Sequence, residues 1–62
     1  MNWAEYLQSR DCGTHQVHIN HYAEFLQLRE TAKRLSEHTS RRYQVWEDRD
    51  NGSIFHIKVS EK

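Results

Sequence analysis

Apolar positions along this chain recur with two periods, and the period changes where one element gives way to the next. From residue 21 to residue 38, Phe25, Leu28, Ala32 and Leu35 step by three, four and three, the spacing that lines one face of an α-helix. Tyr22 and Leu26 widen that stripe, and Asn20 stands where a cap belongs. Glu24, Arg29, Glu30, Lys33, Arg34 and Glu37 fill the wet side, with Glu30 and Arg34 a favourable i, i+4 pair. Over residues 2–10, Trp3, Tyr6, Leu7 and Arg10 repeat the helical spacing and predict a short helix. Asn2 is its cap, Glu5 sits at the capping-box position and Gly13 is its stop.

Residues 14–19 read two ways. His15, Val17 and Ile19 alternate with Gln16 and His18, and three of the six residues are β-branched, which suits a strand. Thr14 also suits the cap of a helix running straight on. The strand is the preferred reading.

Residues 42–60 predict a β-hairpin, because Asn51-Gly52 between two β-rich runs is the strongest short hairpin signal. Two registers compete. A two-residue Asn51-Gly52 turn pairs Trp46 with Ile57 and groups Gln44, Trp46 and Asp48 with Phe55, Ile57 and Val59. A three-residue Asp50-Asn51-Gly52 loop, with Gly52 left-handed in a bulge, groups Tyr43, Val45 and Glu47 with Phe55, Ile57 and Val59 instead. A one-residue slip exchanges the two faces. The second register segregates polar from apolar better, and it leaves Trp46 and Ile54 on the outer face. The predicted architecture is α+β: a short N-terminal helix, a short strand, one long amphipathic helix and a C-terminal hairpin. Its two- or three-stranded antiparallel sheet packs on the long helix, in a single domain.

Composition narrows what such a domain does. Sixty-two residues sit near the lower size limit for unaided folding, where a disulfide, a metal or a second subunit often supplements a thin core. A single cysteine excludes an internal disulfide and suits a reducing compartment. Nine basic and nine acidic side chains cancel, which disfavours both a dedicated nucleic-acid binder and an acidic mimic. No apolar run is long enough for a membrane span and no signal peptide is recognisable. No membrane partner is expected, and a cytoplasmic location is.

Chemistry-bearing residues are few. Cys12, His15, His18 and His21 recur every third residue, and thiolate and imidazole are zinc ligands. A strand points His15 and His18 to opposite faces, while a helix turns the first and last of the four about 180° apart. No metal and no cofactor is expected. Cys12 with His15 lacks the pocket and the orienting group that nucleophilic catalysis needs. Glu47, Asp48 and Asp50 read as a solvated hairpin tip. No catalytic residue is assigned, and no enzyme activity is expected.

Binding has better support. Seven aromatics in 62 residues is dense, and Trp, Tyr and Arg are the residue types that anchor interfaces. Trp46, with Ile54, His56 and Arg42, is the candidate protein-binding patch; Trp3 with Tyr6 is a second, unless Trp3 closes the core. The function expected is a non-enzymatic protein–protein interaction module. Such a chain acts as a small regulator or inhibitor of a larger protein, of the kind phages and mobile elements carry. Homodimerisation through the long helix's apolar seam or a hairpin edge belongs to the same reading. The alternative is a small DNA- or RNA-binding regulator. It would use a basic stripe of Arg29, Lys33, Arg34, Arg41 and Arg42, with the hairpin as a wing. The order of helices and hairpin is similar to that of small winged or Cro-like repressors, in layout alone. Ala32 and Leu35 do not extend to a helix-turn-helix, since Ser36, Glu37 and Arg42 fall where glycine and apolar anchors belong.

Overall fold

The computed structural model describes residues 2–62. They form α1 (Trp3–Gln8), β1 (Gly13–His18), α2 (Tyr22–His38), β2 (Arg41–Glu47) and β3 (Ile54–Glu61), which is the α+β architecture the patterns predict. Asn2 caps α1 through its side chain, whose Oδ1 accepts the Glu5 N–H at 3.2 Å. The helix stops sooner than expected, at Gln8, with Ser9 as its C-cap. Gly13 is therefore not the stop. It opens β1 with φ of 136°, a conformation that favours glycine because it has no Cβ.

Pairing with β3 makes residues 13–18 a strand. The long helix begins at Tyr22 with His21 as its N-cap, and no side chain caps it. Asn20, the expected cap, lies one residue too early to reach the first free amides. Leu28 and Ala32 are buried as the stripe predicts, with Phe25 and Leu35 packed against the core. Tyr22 and Leu26 are not part of it: they are 70% and 44% exposed. They lie about 60° and 100° round α2 from Phe25, outside the buried stripe, with Tyr22 at the rim of a cleft it shares with Phe25, Glu47 and Phe55.

The sheet order is β1-β3-β2, antiparallel throughout. β3 is central, with β1 paired along one edge and β2 along the other, and its inward residues Phe55, Ile57 and Val59 are buried. Tyr43 opposes Val59, Val45 opposes Ile57 and Glu47 opposes Phe55, the better segregated of the two predicted faces. The turn that delivers this register is not the expected one. Gly13 is the one glycine with positive φ, so Gly52 forms no left-handed bulge. Residues 48–53 instead form a wider loop built by side chains. Asp48 Oδ2 accepts the Asp50 N–H at 3.1 Å and Asn51 Oδ1 accepts the Ser53 N–H at 2.9 Å. These local acceptors hold the backbone in turns without any φ > 0 residue.

Both helices pack on one face of the sheet. The core joins Trp3 and Leu7 of α1 to Leu28 and Ala32 of α2 and to Tyr43, Phe55, Ile57 and Val59 of the sheet, with Ile19 alongside. Phe25 stacks on Phe55 at 4.6 Å between ring centroids. Trp3 is 5% exposed and meets Tyr6 edge-to-face at 5.5 Å, so it belongs to the core and the proposed Trp3–Tyr6 patch is withdrawn. Among the described residues no helix is long and apolar enough to cross a membrane.

Candidate interaction surface

Strand alternation gives the sheet a second face, opposite the helices. On it lie Thr14, Gln16 and His18 of β1, Ile54, His56 and Lys58 of β3, and Arg42, Gln44 and Trp46 of β2. None of these residues is buried, because both layers of helix sit on the other side.

The patch predicted around Trp46 is assembled here. Trp46 opposes His56 across the β2–β3 ladder. Their rings stack at 5.6 Å between centroids, 22° from parallel, and Trp46 keeps 43% of its surface exposed. His56 Nε2 donates to Asp48 Oδ1 at 2.7 Å, since an ionised carboxylate only accepts. The His56 bond, reinforced by the Asp50 N–H, holds the Asp48 carboxyl below the usual carboxylate range. Asp48 thus fixes the His56 ring, and His56 fixes one face of the indole. Ile54 sits beside this group, half-buried, and with Gln16, Val17 and His18 it lines a shallow groove leading to the β1 edge.

Sequence reasoning placed Trp46, Ile54, His56 and Arg42 together, and the structure sets all four on this face. It missed Asp48, which reads in the sequence as part of a solvated tip. The signal was present in the register: Asp48 opposes Ile54 and is the diagonal neighbour of His56 on the outer face. The face also has a sign. Arg42 and Lys58 are its exposed cations, and its one carboxylate, Asp48, is already paired.

The basic residues of the alternative reading fall on separate surfaces. Arg42 is on the outer face. Arg41, its strand neighbour, points to the helix side, where it donates to the Arg10 carbonyl at 2.9 Å and approaches Glu61 at 3.9 Å. Arg29 and Lys33 line a groove between α2 and β2, with Tyr43 and Val45. Arg34 projects about 100° further round the helix. The hairpin is not a free wing, because β3 pairs with β1 on its other side. The helix seam is likewise occupied, with Leu28 and Ala32 buried against the sheet. His15 and His18 lie on opposite faces of β1. Cys12 is exposed, with its Sγ 3.6 Å from Glu61 Oε1, and among the described residues no three His, Cys, Asp or Glu side chains converge on a cation-sized site.

Compared with known proteins, the chain matches no family model, and no curated protein or solved structure resembles it significantly. The functional reading rests on the geometry of this face.

Proposed function

We propose that this chain is a non-enzymatic interaction module of the cytoplasm. It docks its uncovered sheet face on a larger protein and regulates or inhibits that protein by occupying its surface. The observation that carries the reading is the Trp46–His56–Asp48 stack. An exposed tryptophan whose neighbour is itself held by a carboxylate is ordered before binding, so little side-chain entropy is lost on association. Tryptophan and arginine at the centre of a patch are the residues that dominate interface energies. With Arg42 and Lys58 as flanking cations, the complementary surface is an apolar socket rimmed by carboxylates.

The test is site-specific photocrosslinking in the cells that make the chain. A photoreactive residue at Gln44, beside Trp46, is compared with one at Glu30 on the far side of α2. The proposal expects one protein adduct from position 44 and none from position 30. Equal labelling from both positions refutes the docking face. Crosslinks to nucleic acid, with salt-sensitive retention on a phosphate resin, move the assignment to the DNA- or RNA-binding reading.

A further inference from the structure

The two edges of the sheet are finished differently. On β2, alternate residues turn their N–H and C=O groups away from β3, and at Arg41 and Tyr43, in the half of the strand beside the end of α2, side chains meet these groups. Ser36 Oγ accepts the Tyr43 N–H at 2.8 Å; its single proton lies between the Ala32 carbonyl at 2.8 Å and the Tyr43 carbonyl at 3.2 Å. Thr39 Oγ1 accepts the Arg41 N–H at 3.2 Å and donates its proton to the Leu35 carbonyl at 2.7 Å, with the Arg41 carbonyl 3.3 Å away. The same strand carries charge at Arg41, Arg42 and Glu47, which discourages pairing with another chain.

β1 has no such finish. The Ile19 N–H donates to the Ser53 carbonyl at 2.8 Å, so by the alternation of an antiparallel ladder the odd residues of β1 bond to β3. Thr14, Gln16 and His18 then direct their N–H and C=O groups outward. Among the described residues, nothing bonds to them. The strand, Gly-Thr-His-Gln-Val-His, contains no Lys, Arg, Asp, Glu or Pro, and all three outward residues are exposed.

We propose that β1 pairs antiparallel with β1 of a second copy of this chain, joining two sheets into one of six strands. The occupant is a second copy because the edge is self-complementary about Gln16. A two-fold axis there sets Gln16 against Gln16, and Thr14 against His18 of the second copy. Only this register engages all three outward residues of both chains, and it opposes no formal charges. The interface is isologous and closes at two, as a two-fold interface must. It leaves the Trp46 stack free and brings the two uncovered faces side by side, and it stands or falls independently of what docks on them.

Native mass spectrometry and an engineered crosslink test it together. The purified chain is expected to rise from 7.5 kDa to twice that mass over a concentration series. In a Cys12→Ser background, Gln16→Cys is expected to oxidise to a covalent dimer. Opposed residues of a hydrogen-bonded antiparallel pair have Cα atoms about 5.5 Å apart, inside the range a disulfide spans. Thr14→Cys, about 13 Å from its symmetry mate by the strand rise, is expected not to link. Gln16→Lys sets two ammonium groups face to face on the axis and is expected to weaken the dimer at least tenfold. It leaves the thermal melt of the monomer unchanged, because the Gln16 N–H takes no part in the β3 ladder. A chain that stays monomeric throughout overturns the proposal, as does a dimer indifferent to Gln16→Lys or linked equally through position 14.

Discussion

Ser36→Ala tests how the fold protects its β2 edge, and its effect can be worked out from three bonds. Ser36 Oγ shares its one proton between the Ala32 carbonyl at 2.8 Å and, at longer range, the Tyr43 carbonyl at 3.2 Å, and accepts the Tyr43 N–H at 2.8 Å. Removing the hydroxyl frees the Ala32 carbonyl at little cost, since that oxygen still takes part in the helix ladder. The Tyr43 N–H is different. It is part-buried beneath α2, and alanine leaves it without an acceptor, a loss of about 1–3 kcal/mol. Half-burial favours the lower end of that range, since water reaches the vacated position. A domain of this length has a total stability of roughly 3–9 kcal/mol, so the change is large. In urea, with a slope of about 1 kcal/mol per molar for so small a chain, the midpoint is expected to fall by about 1–2 M. Tryptophan fluorescence reports the transition, because Trp3 is buried and Trp46 is stacked on His56. Ser36→Thr, which retains the hydroxyl, is the control and is expected to stay within about 0.5 kcal/mol of wild type. A midpoint for Ser36→Ala that matches wild type would refute the reasoning, because the hydroxyl would then not be what satisfies the edge.

Four further outcomes follow from the same structure. Ile57→Ala, at a fully buried central-strand position, is expected to cost about 2–5 kcal/mol through transfer and cavity terms and to lower the urea midpoint by about 2–5 M. Gly13→Ala is expected to cost about 1–3 kcal/mol from backbone strain alone, because its added Cβ meets nothing within 4 Å. Gly52→Ala, at ordinary φ and facing only the flexible end of Glu47 at 3.0 Å, is expected to be neutral within about 0.5 kcal/mol in the same melts. Asp48 has its carboxyl depressed in the folded state by His56 and the Asp50 N–H, so the folded chain binds fewer protons than the unfolded chain just below the ordinary carboxylate range. Its stabilising contribution is present above the unfolded value of 3.8 and is lost as pH falls through the lower folded value. An acid titration of the melting temperature is expected to show this loss in wild type and a flatter profile in Asp48→Asn.

Much of this fold is legible in the sequence because period and turn chemistry agree with each other. The step of Phe25, Leu28, Ala32 and Leu35 places the helix, and the polar content of the two hairpin faces selects the register before any contact is known. The parts that are not legible depend on tertiary placement. Asn51-Gly52 advertises a tight turn, but Asp48 and Asn51 each capture a nearby backbone N–H and open the loop to six residues, 48–53. Tyr22 and Leu26 carry the helical period yet stay exposed, because the width of the sheet decides how much of α2 is covered. The outer patch could be named from the register, whereas Asp48's hold on His56 could be found only by tracing diagonals across it. The covered and bare edges were invisible, since Ser36 and Thr39 become edge caps only once α2 lies beside β2.

The central claim is that the Trp46 face binds another protein, and co-purification from the native cells tests it most directly. The tagged wild-type chain is compared with Trp46→Ala and Leu26→Ala, each first shown to be folded. Trp46→Ala loses one stacked contact, worth about 0.5–1.5 kcal/mol, and remains native. The account expects a protein recovered in stoichiometric amount with wild type and with Leu26→Ala, resistant to nuclease, and reduced at least tenfold with Trp46→Ala. A partner retained by Trp46→Ala, or lost with Leu26→Ala instead, would contradict it.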